Sequence, residues 1–263
     1  MTPPIHRYPR TTHLDGSGLE ADDSPDTVAM SALAGRHVVI EEKMDGANSG
    51  IRFDADSLEL RLQSRGHYLT GGGRERQFDL FKRWAAAASD KLFDALGTRY
   101  QLYGEWVYAK HTIFYDALPH YFLEFDILDL EAGGFLDTPR RAELLRGLPV
   151  VPVRVLHAGL WPGEAAALAL VGPSGFITPD AGEVLDADTA ALGWNVDLTR
   201  RQTDLSGRME GLYVKVEEGG EVTGRYKFVR RGFLQTAVGE GHWQDRPIIP
   251  NKLAPGTDLF AGW

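Results

Sequence analysis

Three apolar residues, Val38, Val39 and Ile40, run into Glu41, Glu42 and Lys43, and after Gly46 an alternating pattern resumes from Ser49 to Phe53. Runs of this kind bounded by turn residues predict strands. Three antiparallel strands are expected between Val38 and Ser64, joined near Gly46 and between Asp54 and Ser57. The pattern returns at Arg99 to Tyr108, His120 to Leu130 and Val150 to Leu156. It ends in a hairpin, Met209 to Glu217 with Val222 to Val229, around Gly219-Gly220.

Between these runs the spacing is helical. Phe78, Leu80, Phe81, Trp84, Leu92 and Phe93 form an apolar stripe within Glu75 to Leu96, which reads as core. Shorter helices are predicted at Asp26 to Leu33, with Asp26 as cap, and at Thr138 to Gly147, Pro162 to Val171 and Asp188 to Leu192. Strands and helices intersperse without a βαβ period, so the expected class is α+β, with antiparallel sheets flanked by helices. No repeat or linker divides residues 1–263, which read as one domain with a short N-terminal arm and a C-terminal tail. The arm, Ile5 to His13, is extended around Pro9 and is expected to strap onto the core.

Composition narrows the chemistry. The 263 residues are 43% hydrophobic and include no cysteine, which removes disulfides, thiolate catalysis and cysteine-ligated zinc. No apolar run reaches the length of a membrane span, so no membrane partner and a cytoplasmic location are the expectation. A net charge of −9 argues mildly against nucleic acid. The charge is uneven, however: basic clusters at Arg61 to Arg83, Arg140 to Arg146 and Arg225 to Arg231 offset acidic stretches at Glu20 to Asp26 and Glu217 to Glu221. Gly71-Gly72-Gly73 precedes a helix and offers amides to a phosphate. It lacks the Gly-Lys-Ser/Thr ending of a P-loop, and a flexible entry to the helix fits better.

The candidate chemistry begins at Lys43-Met44-Asp45-Gly46, a lysine at a strand end beside a turn. Downstream come Ser64-Arg65-Gly66, Gly104-Glu105, Phe125-Asp126, Glu210-Gly211-Leu212-Tyr213-Val214-Lys215 and Arg225-Tyr226-Lys227. In order and separation this series resembles the motifs of the covalent nucleotidyltransferase superfamily, the ATP-dependent ligases and the GTP-using capping enzymes. Only 36 residues follow Lys227 (263 − 227), too few for a five-stranded OB-fold barrel. The expected architecture is therefore an adenylation domain without that appendage, most similar to the ATP-dependent RNA ligases. Tyr8-Pro9-Arg10, and the tail from His242 to Pro247 with Asn251, also resemble segments of a bacterial RNA ligase family.

The resemblance implies ATP and Mg²⁺ (or Mn²⁺), and a lysine, Lys43, that takes AMP and passes it to an RNA 5′-phosphate for joining to a 3′-hydroxyl. Attack needs a neutral amine, whereas a free lysine titrates near ~10.4; Lys215 and Lys227 are expected to depress that value and to neutralise phosphates. Glu210 and Asp45 are the candidates for metal, with Asp45 also able to orient the lysine; both equally fit ordinary turn acids. Glu105 is implied to bind a ribose hydroxyl and Arg65 ribose or phosphate, with an Arg65–Glu105 salt bridge as the rival reading. Phe125 matches the aromatic that stacks on the purine, or it is core. Glu42 is implied to give the base a backbone contact, and Asn48 to act in sealing, though a turn asparagine looks the same. Arg225 stands where many ligases carry lysine; it keeps the charge and changes the geometry. The competing readings are a DNA ligase or capping-type nucleotidyltransferase, or an inactive RNA-end-binding subunit. A partner protein that supplies substrate binding is compatible with each.

Overall fold

A computed structural model describes residues 4–18, 26–233 and 248–262, apart from the side chain of Arg74. Positions 19–25 of the acidic loop and the tail from His242 to Pro247 lie outside the described residues. Two sheets face one another. The first contains β1 (Thr12–Leu14), β2 (Thr27–Val28), β3 (His37–Lys43), β9 (Val155–Leu160), β10 (Gly211–Glu218) and β11 (Glu221–Val229), in the order β2-β1-β11-β10-β3-β9. The second contains β4 (Ala47–Phe53), β5 (Leu60–Ser64), β6 (Tyr100–Trp106), β7 (Phe122–Asp129) and β8 (Val151–Pro152), in the order β5-β4-β6-β7-β8. Most pairings are antiparallel, as expected for α+β; β1 pairs in parallel with β2 and β11, and β7 with β8. Among the described residues no helix is long and apolar enough to cross a membrane.

The first correction concerns Gly46. β3 and β4 are not hairpin neighbours but belong to different sheets, so the turn carries the chain across the cleft. Val38 and Ile40 of β3 pack with Leu212, Val214 and Val216, whereas Ile51 and Phe53 of β4 pack on the helical layer. Two separate cores thus pull consecutive strands apart, each fully buried Leu, Ile or Phe contributing about 1.5–3 kcal/mol. Gly46 is required at the crossing, since a Cβ there would lie 2.7 Å from Val107 Cγ1 and 2.9 Å from the Trp106 carbonyl oxygen.

Other boundaries move for local reasons. The helix expected from Asp26 is instead β2, held by pairing with His13 and Leu14, followed by a 3₁₀ turn at Met30–Leu33 with no side-chain cap. The strand expected over Val150 to Leu156 breaks into β8 and β9, which lie in different sheets. At the break Val153 donates to Glu124, and Glu42 donates to the Arg154 carbonyl. The Phe78 to Phe93 stripe is a 3₁₀ turn (Gly73–Phe78) followed by α1 (Asp79–Ala87) and α2 (Ser89–Leu96), with Phe81, Trp84, Leu92 and Leu96 buried as core. α3 (Thr138–Leu144) is capped by the Asp137 side chain, which accepts from the Arg140 amide. α4 (Glu164–Ala169) falls within its expected span, and α5 (Ala181–Ala191) begins seven residues before Asp188. α6 (Val196–Arg201), capped by Asn195, was not expected.

Strand alternation puts the apolar side chains on the outer faces of both sheets. The facing inner surfaces carry Glu41, Lys43, Tyr213, Lys215, Arg225 and Lys227 from one sheet and Asn48, Tyr103 and Glu105 from the other. Polar chemistry is thereby concentrated in the cleft.

Candidate active site

Lys43 ends β3 opposite Gly211, the first residue of β10, so Glu210 is delivered beside it. A side chain at Gly211 is excluded: its Cβ would sit 1.8 Å from the Phe228 carbonyl oxygen. Lys43 Nζ lies 2.5 Å from Glu210 Oε1. From the other sheet Glu105 and Asn48, cross-strand partners, reach toward the same end of the cleft. The Asn48 Oδ1 is buried without a hydrogen-bond partner.

Three carboxylates surround the Lys43 amine, and they set its titration. Burial alone would lower its pKa, but Glu210, Glu105 and Asp45 outweigh burial and raise it. The expected depression by Lys215 and Lys227 is not found, because acids outnumber cations around the amine. Burial pushes Glu105 up to about 8, against the pull of Lys43 and with added repulsion from Glu210 and Asp45. Burial likewise lifts Glu210 to about 7, opposed by Lys43 and more distantly by Lys227. Arg65, exposed at the end of β5, contributes field at Glu105 but forms no ion pair with it, so the structural salt bridge is not formed.

Asp45 is already engaged. Its Oδ2 accepts from the amides of Thr112 and Ile113 at 2.7 and 2.6 Å, and its own amide donates to the Tyr115 hydroxyl at 3.0 Å. Tyr115 is fixed by Asn251, which accepts from the Tyr115 amide at 2.9 Å and donates to the Val107 carbonyl at 2.8 Å. The loop between β6 and β7 thus serves as the support of the lysine turn. In the sequence Asn251 stands out only through the resemblance of the tail segment. Glu42 is buried, its carboxylate accepting from Ser174 Oγ at 2.5 Å with Arg154 at 3.6 Å. Both partners lie in residues 131 to 205, where no motif was read.

Deeper in the cleft the placement of Lys215 and Arg225 departs from expectation. Lys215 is fully buried, 2.9 Å from Glu41 and 3.3 Å from Asp126, and donates to the Phe125 carbonyl. Arg225 Nε lies 3.0 Å from Asp126, and its guanidinium stacks 3.8 Å from the centroid of Phe135. With Arg141, which bridges Glu41 and Glu124, they complete a buried network of three cations and three carboxylates. These charges neutralise one another, which is what permits their burial. Lys215 and Arg225 are engaged by the carboxylates of this network, whereas among the expected lysines Lys227 is the one whose field reaches Glu210.

Beside this network the half-buried Phe125 faces Tyr213 across the cleft, ring centroids 6.5 Å apart and planes 31° apart. A planar ring in contact with both needs near-parallel faces ~7 Å apart, so the two rings must part slightly and turn toward parallel to hold one between them. In the sequence Tyr213 enters only as a member of the Glu210 to Lys215 series; its register opposite Glu41 and Lys227 turns it inward.

Among the described residues no three His, Asp or Glu side chains converge into a metal site. Glu210, with the Asp45 oxygen not held by amides, suits a hard cation that completes its shell with phosphate oxygens and water. At the start of the glycine run the Gly71 amide, with that of Thr70 before it, donates to the Glu75 carboxylate at 2.8 and 3.2 Å, which engages it within the loop.

Comparison with known proteins bears on this arrangement. An apo form of a Naegleria gruberi RNA ligase variant superposes with a TM-score of 0.51 at 18% identity, covering 78% of this chain and 52% of that one. A variant of the same ligase with ATP and Mn gives 0.50 at 18% identity, covering 90% and 63%. The ligase with PPi gives 0.50 at 19%, covering 89% and 63%. The fold is shared, and the chain spans 52 to 63% of the length of these structures. No curated protein matches by sequence. The family model described as RNA ligase matches residues 36–229, from the residue before β3 to the end of β11, and the chain belongs to the RNA ligase family.

Proposed function

We propose that the chain is an ATP-dependent RNA ligase acting as one adenylation domain, with Lys43 as its nucleophile. The reading rests on one observation above all: a lysine amine at a strand end, 2.5 Å from Glu210 and within the field of Glu105 and Asp45. A lysine held as an ammonium must lose its proton before it attacks. Glu210, raised to about 7 and in contact, is suited to take it. The Lys43 nitrogen then forms a bond to the α-phosphorus of ATP as the bond to pyrophosphate breaks. In the second step an RNA 5′-phosphate oxygen displaces Lys43, and in the third a 3′-hydroxyl displaces AMP and seals the strand.

The purine sits between Phe125 and Tyr213, and Glu105 and Arg65 take the ribose and α-phosphate side. Glu210 and Asp45 would hold Mg²⁺ or Mn²⁺, which supplies charge neutralisation for the α-phosphate and the departing pyrophosphate. The Naegleria structure with ATP and Mn supports a divalent cation as cofactor. Asn48, with its orphaned oxygen beside Glu105, faces the reacting ends in the sealing step.

The test is sealing by enzyme that already carries AMP. Nicked duplexes differ only in whether the 3′ side ends in RNA or DNA, because the 2′-hydroxyl is what distinguishes the two. Preferred sealing of the RNA-ended nick is expected. Equal or better sealing of the all-DNA nick would contradict the RNA ligase reading. Self-adenylation with no sealing of either nick would show that substrate binding comes from a partner protein.

A further inference from the structure

The N-terminal arm carries Tyr8 into the cleft. Tyr8 is 7% exposed although Arg7, Pro9 and Arg10 around it are exposed. Its ring stands edge-on to Phe125 at 5.1 Å and to Tyr103 at 5.2 Å, and the Arg225 guanidinium lies 5.8 Å from its centroid. Its hydroxyl is 2.5 Å from Asp126 Oδ2 and 2.7 Å from the Tyr213 hydroxyl, which in turn is 3.0 Å from Thr11 Oγ1.

The direction of this chain follows from its end. Asp126, ringed by Lys215, Arg225 and Arg141, is an ionised acceptor, so Tyr8 donates to it. Tyr8 oxygen then accepts from Tyr213, and Tyr213 oxygen accepts from Thr11. Phe125 belongs to β7 of one sheet and Tyr213 to β10 of the other, and among the described residues Tyr8 touches both. The arm therefore fixes the ring of Tyr213 by a hydrogen bond and the ring of Phe125 by an edge contact.

We propose that Tyr8 is a positioning residue for the nucleotide: the arm sets the separation and tilt of the Phe125–Tyr213 pair, and through it the affinity for the purine of ATP. This rests on the function proposed above. It adds that residues of the arm, outside the 36–229 span matched by the family model, complete the nucleotide site.

The test measures Lys43 labelling by ATP as a function of ATP concentration in the wild type, Tyr8→Phe and Thr11→Val. Tyr8→Phe keeps the ring and removes the link to Asp126. It should raise the half-saturating ATP concentration about tenfold, the scale set by loss of one hydrogen bond to an ionised group. The labelling rate at saturating ATP should stay within about twofold, since the Lys43 cluster is untouched. Thr11→Val should shift half-saturation in the same direction by less. Unchanged half-saturation in both variants, or a fall confined to the saturating rate, would overturn the proposal. If Tyr8→Phe loses its cooperative melt, Thr11→Val decides: a raised half-saturation supports the proposal and an unchanged one overturns it. A wild-type chain that takes no AMP would instead sink the proposed function.

Discussion

Lys43 Nζ and Glu210 Oε1 lie 2.5 Å apart across the junction of β3 and β10, and the pair binds the proposed nucleophile to the proposed base and metal ligand. This contact holds the lysine charged. Glu105 and Glu210 titrate at about 8 and about 7 against an ordinary 4.5, raised chiefly by burial. An acid whose pKa is raised by folding keeps its proton in the native state where the unfolded chain has lost it. The associated stability is full below about 4.5 and is lost as pH rises through 7 to 8. The Tm of the ligand-free protein should therefore fall between pH 5 and pH 8. Glu105→Gln should flatten that slope without loss of the cooperative melt.

Lys215 and Lys227 lie on one face of the β10–β11 hairpin and should behave oppositely. Lys215 neutralises buried Glu41 and Asp126, so Lys215→Met leaves uncompensated buried charge and should cost roughly 3–5 kcal/mol. Lys227 is half-buried near Glu210, and Lys227→Ala should cost under about 1 kcal/mol while sharply reducing AMP transfer. Urea melts of the two variants separate the roles.

Asn251 supports Asp45 through the loop between β6 and β7. Asn251→Ala orphans the Tyr115 amide and the Val107 carbonyl, both buried, and should cost roughly 2–4 kcal/mol. Because Tyr115 and the Thr112–Ile113 amides hold Asp45, adenylation should also fall at temperatures where the variant remains folded. Full activity in the folded variant would show that the loop does not govern the lysine turn.

The sequence made the strand-end lysine legible because an apolar β-branched run precedes Lys43-Met44-Asp45-Gly46 and an alternating run follows it. It could not reveal that β3 and β4 belong to different sheets, since alternation marks a strand and not its neighbour. The burial of Lys215 and Arg225 among carboxylates was hidden for a related reason. Charged residues alternating with apolar ones look solvent-facing, yet here they face the opposite sheet and Glu41, Glu124, Asp126 and Arg141 neutralise them. Glu105 was legible as a carboxylate in an apolar strand that needed a partner. Its partners, Lys43 and the neighbouring acids, come from β3 and from before β10, separations no local pattern encodes. Tyr213 and Tyr8 are legible only as members of resembling segments, because a tyrosine in a strand or strap carries no local signature of what its ring faces.

The central claim is that Lys43 receives AMP. Intact and peptide mass analysis after incubation with ATP and Mg²⁺ or Mn²⁺ should find one AMP in acid-labile, base-stable linkage on Lys43. It should be absent without divalent cation and absent in Lys43→Ala. An adduct that persists in Lys43→Ala, or that maps to another residue, would contradict the account.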